Sequence, residues 1–323
     1  MSHSTPSSSD ATASPTLAAV SEQLATTVEQ AARSVVAVHA RDRLASTGVH
    51  WRDGLIVTTA ATVRRDTNIS VTVPSGTRHG ATLVGRDQAC DVAVLRLEGD
   101  VRLPPAALGD PAHLRPGHLV LAVARLDDSG PRVAFGAVSS VSGAWRSWKG
   151  GEYSRLLQSG LTLYPGFGGT PLVDAAGRVH GLNSGGLSRH FATTIPTPDV
   201  ERLLSQLLAT GYVPRGWLGA AMQAVRFPDA DTRRAMGRDG GLLVVGLADG
   251  GPAARSGMLV GDILLAMDGG EVHEPGDVLD ALERTAPGRT VAFTLLRGGT
   301  RVTQSVLVGE RPQSTGRSRR RSA

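Results

Sequence analysis

A mainly β chain with two separate cores is the fold class this sequence predicts, and three observations predict it. Short apolar runs bounded by Gly, Asp or Pro succeed one another from residue 35 onward, the pattern of antiparallel barrels or a sandwich. Glycine occurs 40 times while aromatic residues make up only 4%, a composition suited to tight turns around small side chains. With 323 residues and 41% hydrophobic content, the chain is long enough to bury two cores. A single cysteine, Cys90, excludes an internal disulfide and any multi-cysteine metal site, and no cofactor or metal is called for.

Residues 1–13, rich in Ser, Thr, Pro and Ala, predict a disordered N-terminus. No basic stretch there leads into an apolar run, so it does not read as a signal peptide, and the expected location is cytoplasmic. Apolar residues at Leu17, Val20, Leu24, Val28, Ala31 and Val35 follow spacings of three and four, which predicts an N-terminal helix over 14–32. The period then changes. Strands are predicted over 35–38, 55–58, 69–73, 82–84, 92–97 and 119–123. After these, Leu172-Val173, the turn residues 174–177 and Val179 to Asn183 give strand, turn and strand, preceded by the glycine-rich run Pro165-Gly166-Phe167-Gly168-Gly169-Thr170-Pro171-Leu172.

That run resembles the PGNSGGPL nucleophile loop of HtrA/DegP-family trypsin-like serine proteases. The strand order from about 33 to 197 is similar to their two six-stranded barrels, with supporting runs at 46–49, 132–139 and 194–196. The resemblance implies a peptidase-type domain over 33–197. It also implies three catalytic positions, since a serine protease needs a hydroxyl nucleophile, an imidazole to take its proton and a carboxylate to orient the imidazole. Gly168 stands where the family carries its serine. Val57-Thr58-Thr59-Ala60-Ala61-Thr62-Val63 matches the LTNNHVV run and puts Ala61 in place of the base. Asp91, in the DIALL-like run 91–95, is the one triad position retained, and without an imidazole to hold it reads as an acceptor of backbone N–H groups. The Gly166 and Gly168 amides remain able to form an oxyanion-type nest. Phe167, where the family has a small polar residue, is expected to plug the cleft. Thr170 brings a hydroxyl two residues beyond the lost serine, and side-chain bulk where the family has glycine. Nine histidines (3, 39, 50, 79, 113, 118, 180, 190 and 273) could supply a displaced base. His180 is nearest to the loop in sequence and reads as structural. Lys149 is the only lysine.

Thr197-Pro198-Asp199 predicts a helix start with threonine as N-cap, an apolar stripe at 200, 203, 204, 207 and 208 follows, and Gly211 is the stop, giving a closing helix and linker over 198–214. Residues 215–310 resemble a PDZ domain of α+β type, because the fifteen residues from Gly250 to Leu264 match the SPAAKAGLKAGDVI-type run. The resemblance implies a groove for peptide or protein C-termini, in which an extended peptide adds to a strand edge. Trp217, Leu218, Gly219 and Ala220 are its implied loop and first strand, with Val278 and Leu282 lining the pocket from a helix over 275–284.

The five arginines of the tail 311–323 account for the whole net charge of +5. No aromatic residue is interleaved to stack on bases, so contact of this disordered tail with nucleic acid or membrane is not expected. The first aromatic of the chain is Trp51, whereas the family's trimers use an aromatic-bearing N-terminal segment, so self-association is left open. The function expected from this reading is a protease homologue without nucleophile or base, recognising C-termini as a scaffold or chaperone-like adaptor. The alternative is a serine endopeptidase whose catalytic groups have moved.

Overall fold

In the computed structural model, which describes residues 16–188, 192–283 and 285–312, the chain divides into two compact units, Met1–Val213 and Pro214–Ala323. The first unit opens with α1 (Leu17–Ala32), whose N-cap Thr16 accepts the Ala19 N–H at 3.3 Å. Six strands follow: β1 (Val35–His39), β2 (Ser46–Arg52), β3 (Leu55–Thr58), β4 (Ile69–Thr72), β5 (Arg78–Asp87) and β6 (Val92–Leu97). They close antiparallel into a barrel of order β1-β2-β3-β6-β5-β4. β7 (Leu119–Ala124) and β8 (Arg132–Ser142) begin the second barrel. The small hairpin β9 (Trp145–Arg146) and β10 (Glu152–Tyr153) stands outside it. β11 (Leu156–Ser159), β12 (Pro171–Asp174), β13 (Val179–Ser184) and β14 (Ala192–Pro196) complete it in the order β11-β14-β13-β12-β7-β8. The expected double six-stranded barrel is present.

Both faces of most strands are buried, which is why the first barrel reads as continuous apolar runs rather than clean alternation. In β6, Ala93 and Leu95 join Val36, Val38, Ile56 and Val71 in the first barrel's interior. Val92 and Val94 point the other way, into a core shared with Leu121, Val123, Val173, Leu182 and Ile195 of the second barrel. That shared core is sealed by α2 (Thr197–Thr210), whose Val200, Leu203, Leu204 and Leu207 are fully buried. At roughly 1.5–3 kcal/mol for each buried aliphatic side chain, this stripe holds the helix in place. Glu201 adds polar fixings, accepting the Trp51 indole N–H at 2.6 Å and pairing with Arg52 at 3.2 Å. The helix begins at Thr197 with Pro196 in the cap position, one residue earlier than expected. It ends as predicted at Gly211, whose left-handed φ of 79° presents its N–H to the Leu207 carbonyl.

The second unit comprises β15 (Gly216–Trp217), β16 (Ala220–Arg226), α3 (Ala230–Met236), β17 (Gly240–Leu247), α4 (Pro252–Arg255), β18 (Ile263–Met267), β19 (Gly270–Glu271), α5 (Pro275–Glu283), β20 (Thr290–Arg297), β21 (Thr300–Leu307) and β22 (Gly309–Glu310). Its sheet runs β16-β17-β18-β20-β21, leaving β16 as an edge. A separate core of Leu242, Val244, Leu264, Phe293, Val306 and neighbours packs under α5 through Val278 and Leu282.

Candidate functional site

The catalytic positions inferred from sequence meet where the two barrels face each other. The turn between β5 and β6 delivers Asp91 in left-handed backbone (φ 52°), 1% exposed. Its Oδ1 accepts the Ala61 amide at 2.8 Å, and its Oδ2 accepts the hydroxyl of Ser184 at the end of β13. Burial pushes the Asp91 carboxyl above its ordinary range, against the two hydrogen bonds and the nearby Lys149 charge, which act downward. Ala61 is the middle residue of a single 3₁₀ turn, Ala60–Thr62, and it is exposed.

Across the junction, the loop before β12 carries Gly168. A Cβ built there would lie 3.1 Å from both Thr59 Oγ1 and Thr62 Cγ2. The two threonine hydroxyls are buried and 3.2 Å apart, and that of Thr62 is 2.8 Å from the Thr59 carbonyl oxygen. The Thr170 hydroxyl, fully buried, accepts from Asn183 Nδ2 at 3.1 Å, and Asn183 Oδ1 in turn accepts from Thr194 at 2.8 Å. It therefore serves the wall of the second barrel and is not presented to a cleft.

The glycine turn itself is tightly held. Gly169, at φ 88°, has no room for a side chain, since a Cβ would fall 2.2 Å from the Thr47 carbonyl oxygen. Its N–H reaches the Asn183 carbonyl at 3.0 Å, and the Phe167 N–H reaches Tyr164 at 2.9 Å. By contrast, the amides of Gly166 and Gly168 donate to no acceptor among the described residues. The expected plug is not observed: Phe167 is 3% exposed and packs with Leu161 and Leu172 in the second barrel's core, edge-on to Tyr164 at 5.5 Å. An apolar ring gains more from that interior than from a wet cleft.

None of the seven histidines among the described residues bonds to Asp91 or to a hydroxyl beside Gly168; His3 and His190 lie outside them. His180 is buried, with Nε2 2.8 Å from Asp174 Oδ2. It lies four positions before Ser184 on β13, about 13 Å along a strand. Burial acts to raise the Asp174 carboxyl, but the bonds from His180, Arg178 and Ala176 outweigh it and hold the carboxyl below its ordinary range.

Two participants had no sequence signal. Ser184 meets Asp91 across 93 positions. Lys149 arrives on the β9–β10 hairpin, anchored by the Trp148 indole N–H on the Gly186 carbonyl at 3.2 Å. A Cβ built on Gly186 would lie 3.1 Å from Asp91 Oδ2 and 3.5 Å from Lys149 Nζ, so opposite charges converge beside that bare backbone.

A second candidate site lies in the other unit. Trp217, Leu218, Gly219, Ala220, Val278 and Leu282 come together around a cavity of about 180 Å³, joined by Met222, Pro275, Leu279, Gly216 and Arg311. β16 is unpaired on the side facing α5, as strand addition requires.

Comparison with known proteins bears on both units. The family description "Trypsin-like peptidase domain" matches residues 46–182, and "PDZ domain" matches 217–308. A probable periplasmic serine endoprotease DegP-like of Halomonas elongata is 33% identical over 283 residues, covering 85% of this chain and 59% of the relative. The protein of the same name from Brucella suis is 31% identical over 273 residues, with 82% and 52% covered. The chain thus spans a little over half the length of these relatives. Among solved structures, an HtrA-type protease AlgW with tripeptide is 30% identical, with 91% of this chain and 99% of that one covered at a TM-score of 0.69. A serine endoprotease from Yersinia pestis gives 26% identity, 90% and 98% coverage and a TM-score of 0.71. The relatives are named periplasmic, which overturns the cytoplasmic location expected from the N-terminal sequence. That expectation rested on one missing leader pattern, a weaker sign than similarity along most of the chain. Both domains in this order, on the shared double barrel, show that the chain belongs to the HtrA/DegP family of trypsin-like proteases with a PDZ domain.

Proposed function

We propose that this chain is a catalytically silent member of its family, which binds peptide or protein C-termini through the PDZ groove and uses the barrels as a scaffold or chaperone-like surface. One observation carries the reading: Asp91 accepts the backbone N–H of Ala61 and the Ser184 hydroxyl rather than an imidazole N–H, and Gly168, against Thr59 and Thr62, offers no side-chain nucleophile. Removal of triad members leaves roughly 10³ to 10⁴-fold acceleration over water against about 10⁶ lost. The groove residues around the 180 Å³ cavity and the free edge of β16 support peptide addition. The names of the relatives support a periplasmic setting.

The relatives' names also favour a second reading, an endopeptidase with displaced catalytic groups, for which the unpartnered Gly166 and Gly168 amides would still serve an oxyanion. A fluorophosphonate probe separates the two. The silent reading expects no covalent labelling of the full chain and no casein cleavage above buffer; labelling that tracks casein cleavage and is blocked by unlabelled probe would establish the endopeptidase.

A further inference from the structure

The groove of the second unit ends against a residue outside both the matched PDZ segment (217–308) and the sequence motifs that identify it. β22 pairs antiparallel with β15, Gly216 opposite Glu310 and Trp217 opposite Gly309. The Arg311 amide extends the ladder by donating to the Arg215 carbonyl at 3.0 Å. This pairing fixes the Arg311 backbone beside the loop 215–219, and the residue lines the same cavity as Leu218, Gly219 and Ala220.

Three donors at this end of the groove lack an acceptor. The amides of Leu218 and Gly219, both buried residues, donate to nothing among the described residues. Their carbonyls, in contrast, are occupied, by Ala253 N at 2.9 Å and Ala248 N at 2.7 Å. Arg311 is exposed and forms no ion pair among the described residues. Its guanidinium is always charged and presents a planar fork that matches a carboxylate. Unsatisfied amides in a buried loop cost free energy unless a ligand supplies the acceptor.

We propose that Arg311 is a ligand-binding residue of the groove: its guanidinium closes on the terminal carboxylate of a bound peptide, while the Leu218 and Gly219 amides hold the other face. The last side chain of the peptide fills the apolar cavity. The proposal rests on reading the groove as a C-terminal peptide site, and it adds a cation from beyond the last long strand of the domain.

The test uses the full chain and fluorescence anisotropy with four fluorescein-labelled octapeptides ending in Ala, Val, Leu or Phe, each as free carboxylate and as carboxamide. Arg311→Gln is expected to weaken the best carboxylate peptide by about 10-fold or more, with Arg311→Lys recovering part of the loss. The carboxamide peptides should bind weakly to all variants alike. The wild-type preference for carboxylate should shrink on raising salt, and the unfolding temperature of Arg311→Gln should match the wild type. Undiminished carboxylate binding by Arg311→Gln, or an equal loss for carboxylate and carboxamide, would overturn the role of Arg311 and leave the groove standing. Failure of the wild type to bind any of the eight peptides would overturn the groove reading and this proposal with it.

Discussion

Asp91 accepts the backbone N–H of Ala61 at 2.8 Å, so the carboxylate holds the residue that the family resemblance aligns with a general base. Ala61 is exposed, leaving room for an imidazole, and Gly168 requires Thr59 and Thr62 to move only a few tenths of an ångström for a Cβ. The double variant Ala61→His with Gly168→Ser is expected to react with a fluorophosphonate at least about 100-fold faster than either single variant. Equal rates in all three would mean that the introduced groups do not meet.

The burial of the Asp91 carboxyl disfavours its charged form. Burial raises the folded-state pKa of Asp91 above its unfolded value, so the folded form binds the extra proton. Stability from this group consequently falls as pH rises from the ordinary carboxylate range through the folded pKa, then stays constant. Asparagine keeps an acceptor for Ala61 and tolerates left-handed backbone. Asp91→Asn should unfold at or above the wild-type temperature at pH 7, with the gain fading toward pH 3.5. Asp91→Ala, which strands the Ala61 amide and the Ser184 hydroxyl, should lose about 1–3 kcal/mol in urea titration.

Asp262 in the second unit has the opposite sign. Its bidentate pair with Arg297, at 2.8 and 2.7 Å, and the Leu259 amide hold its pKa below the ordinary value although burial opposes them. Its stabilisation is present above the unfolded pKa and lost as pH falls through the folded one. The unfolding temperature of Asp262→Asn should lie below that of the wild type at pH 7, and the gap should narrow below about pH 4.

Gly169→Ala tests the glycine turn. The added methyl meets the Thr47 carbonyl oxygen at 2.2 Å and Thr58 Oγ1 at 2.5 Å in a left-handed conformation. A loss of roughly 2–4 kcal/mol is expected from denaturant curves; a loss under about 0.5 kcal/mol would show that the loop is free to move.

Much of this architecture could be read from residue order. Runs such as Val92 to Leu97 declare themselves because both faces are apolar and buried. β2, β11 and β14 do not, because Thr47, Ser159, Thr193 and Thr194 are buried there despite their hydroxyls, with Thr47 donating to the Gly166 carbonyl in the loop before β12 and Thr194 to Asn183 on the neighbouring β13. Periodicity cannot register such residues as interior. Ala61, Asp91 and Gly168 were singled out through short strings that resemble the family's. Ser184 and Lys149 were not, since only barrel closure and the β9–β10 hairpin bring them to Asp91. Arg311 was assigned to a solvated tail, and only its ladder bond to Arg215 shows where its backbone is fixed.

The way α2 seats between the barrels also sets where the polypeptide can be cut. A fragment halted at Pro196 would bare the seam that Val200, Leu203, Leu204 and Leu207 cover and would forfeit the Trp51 anchor on Glu201. Such a truncation should come out of cells as inclusion bodies, whereas a stop at Val213 keeps α2 on the core it covers.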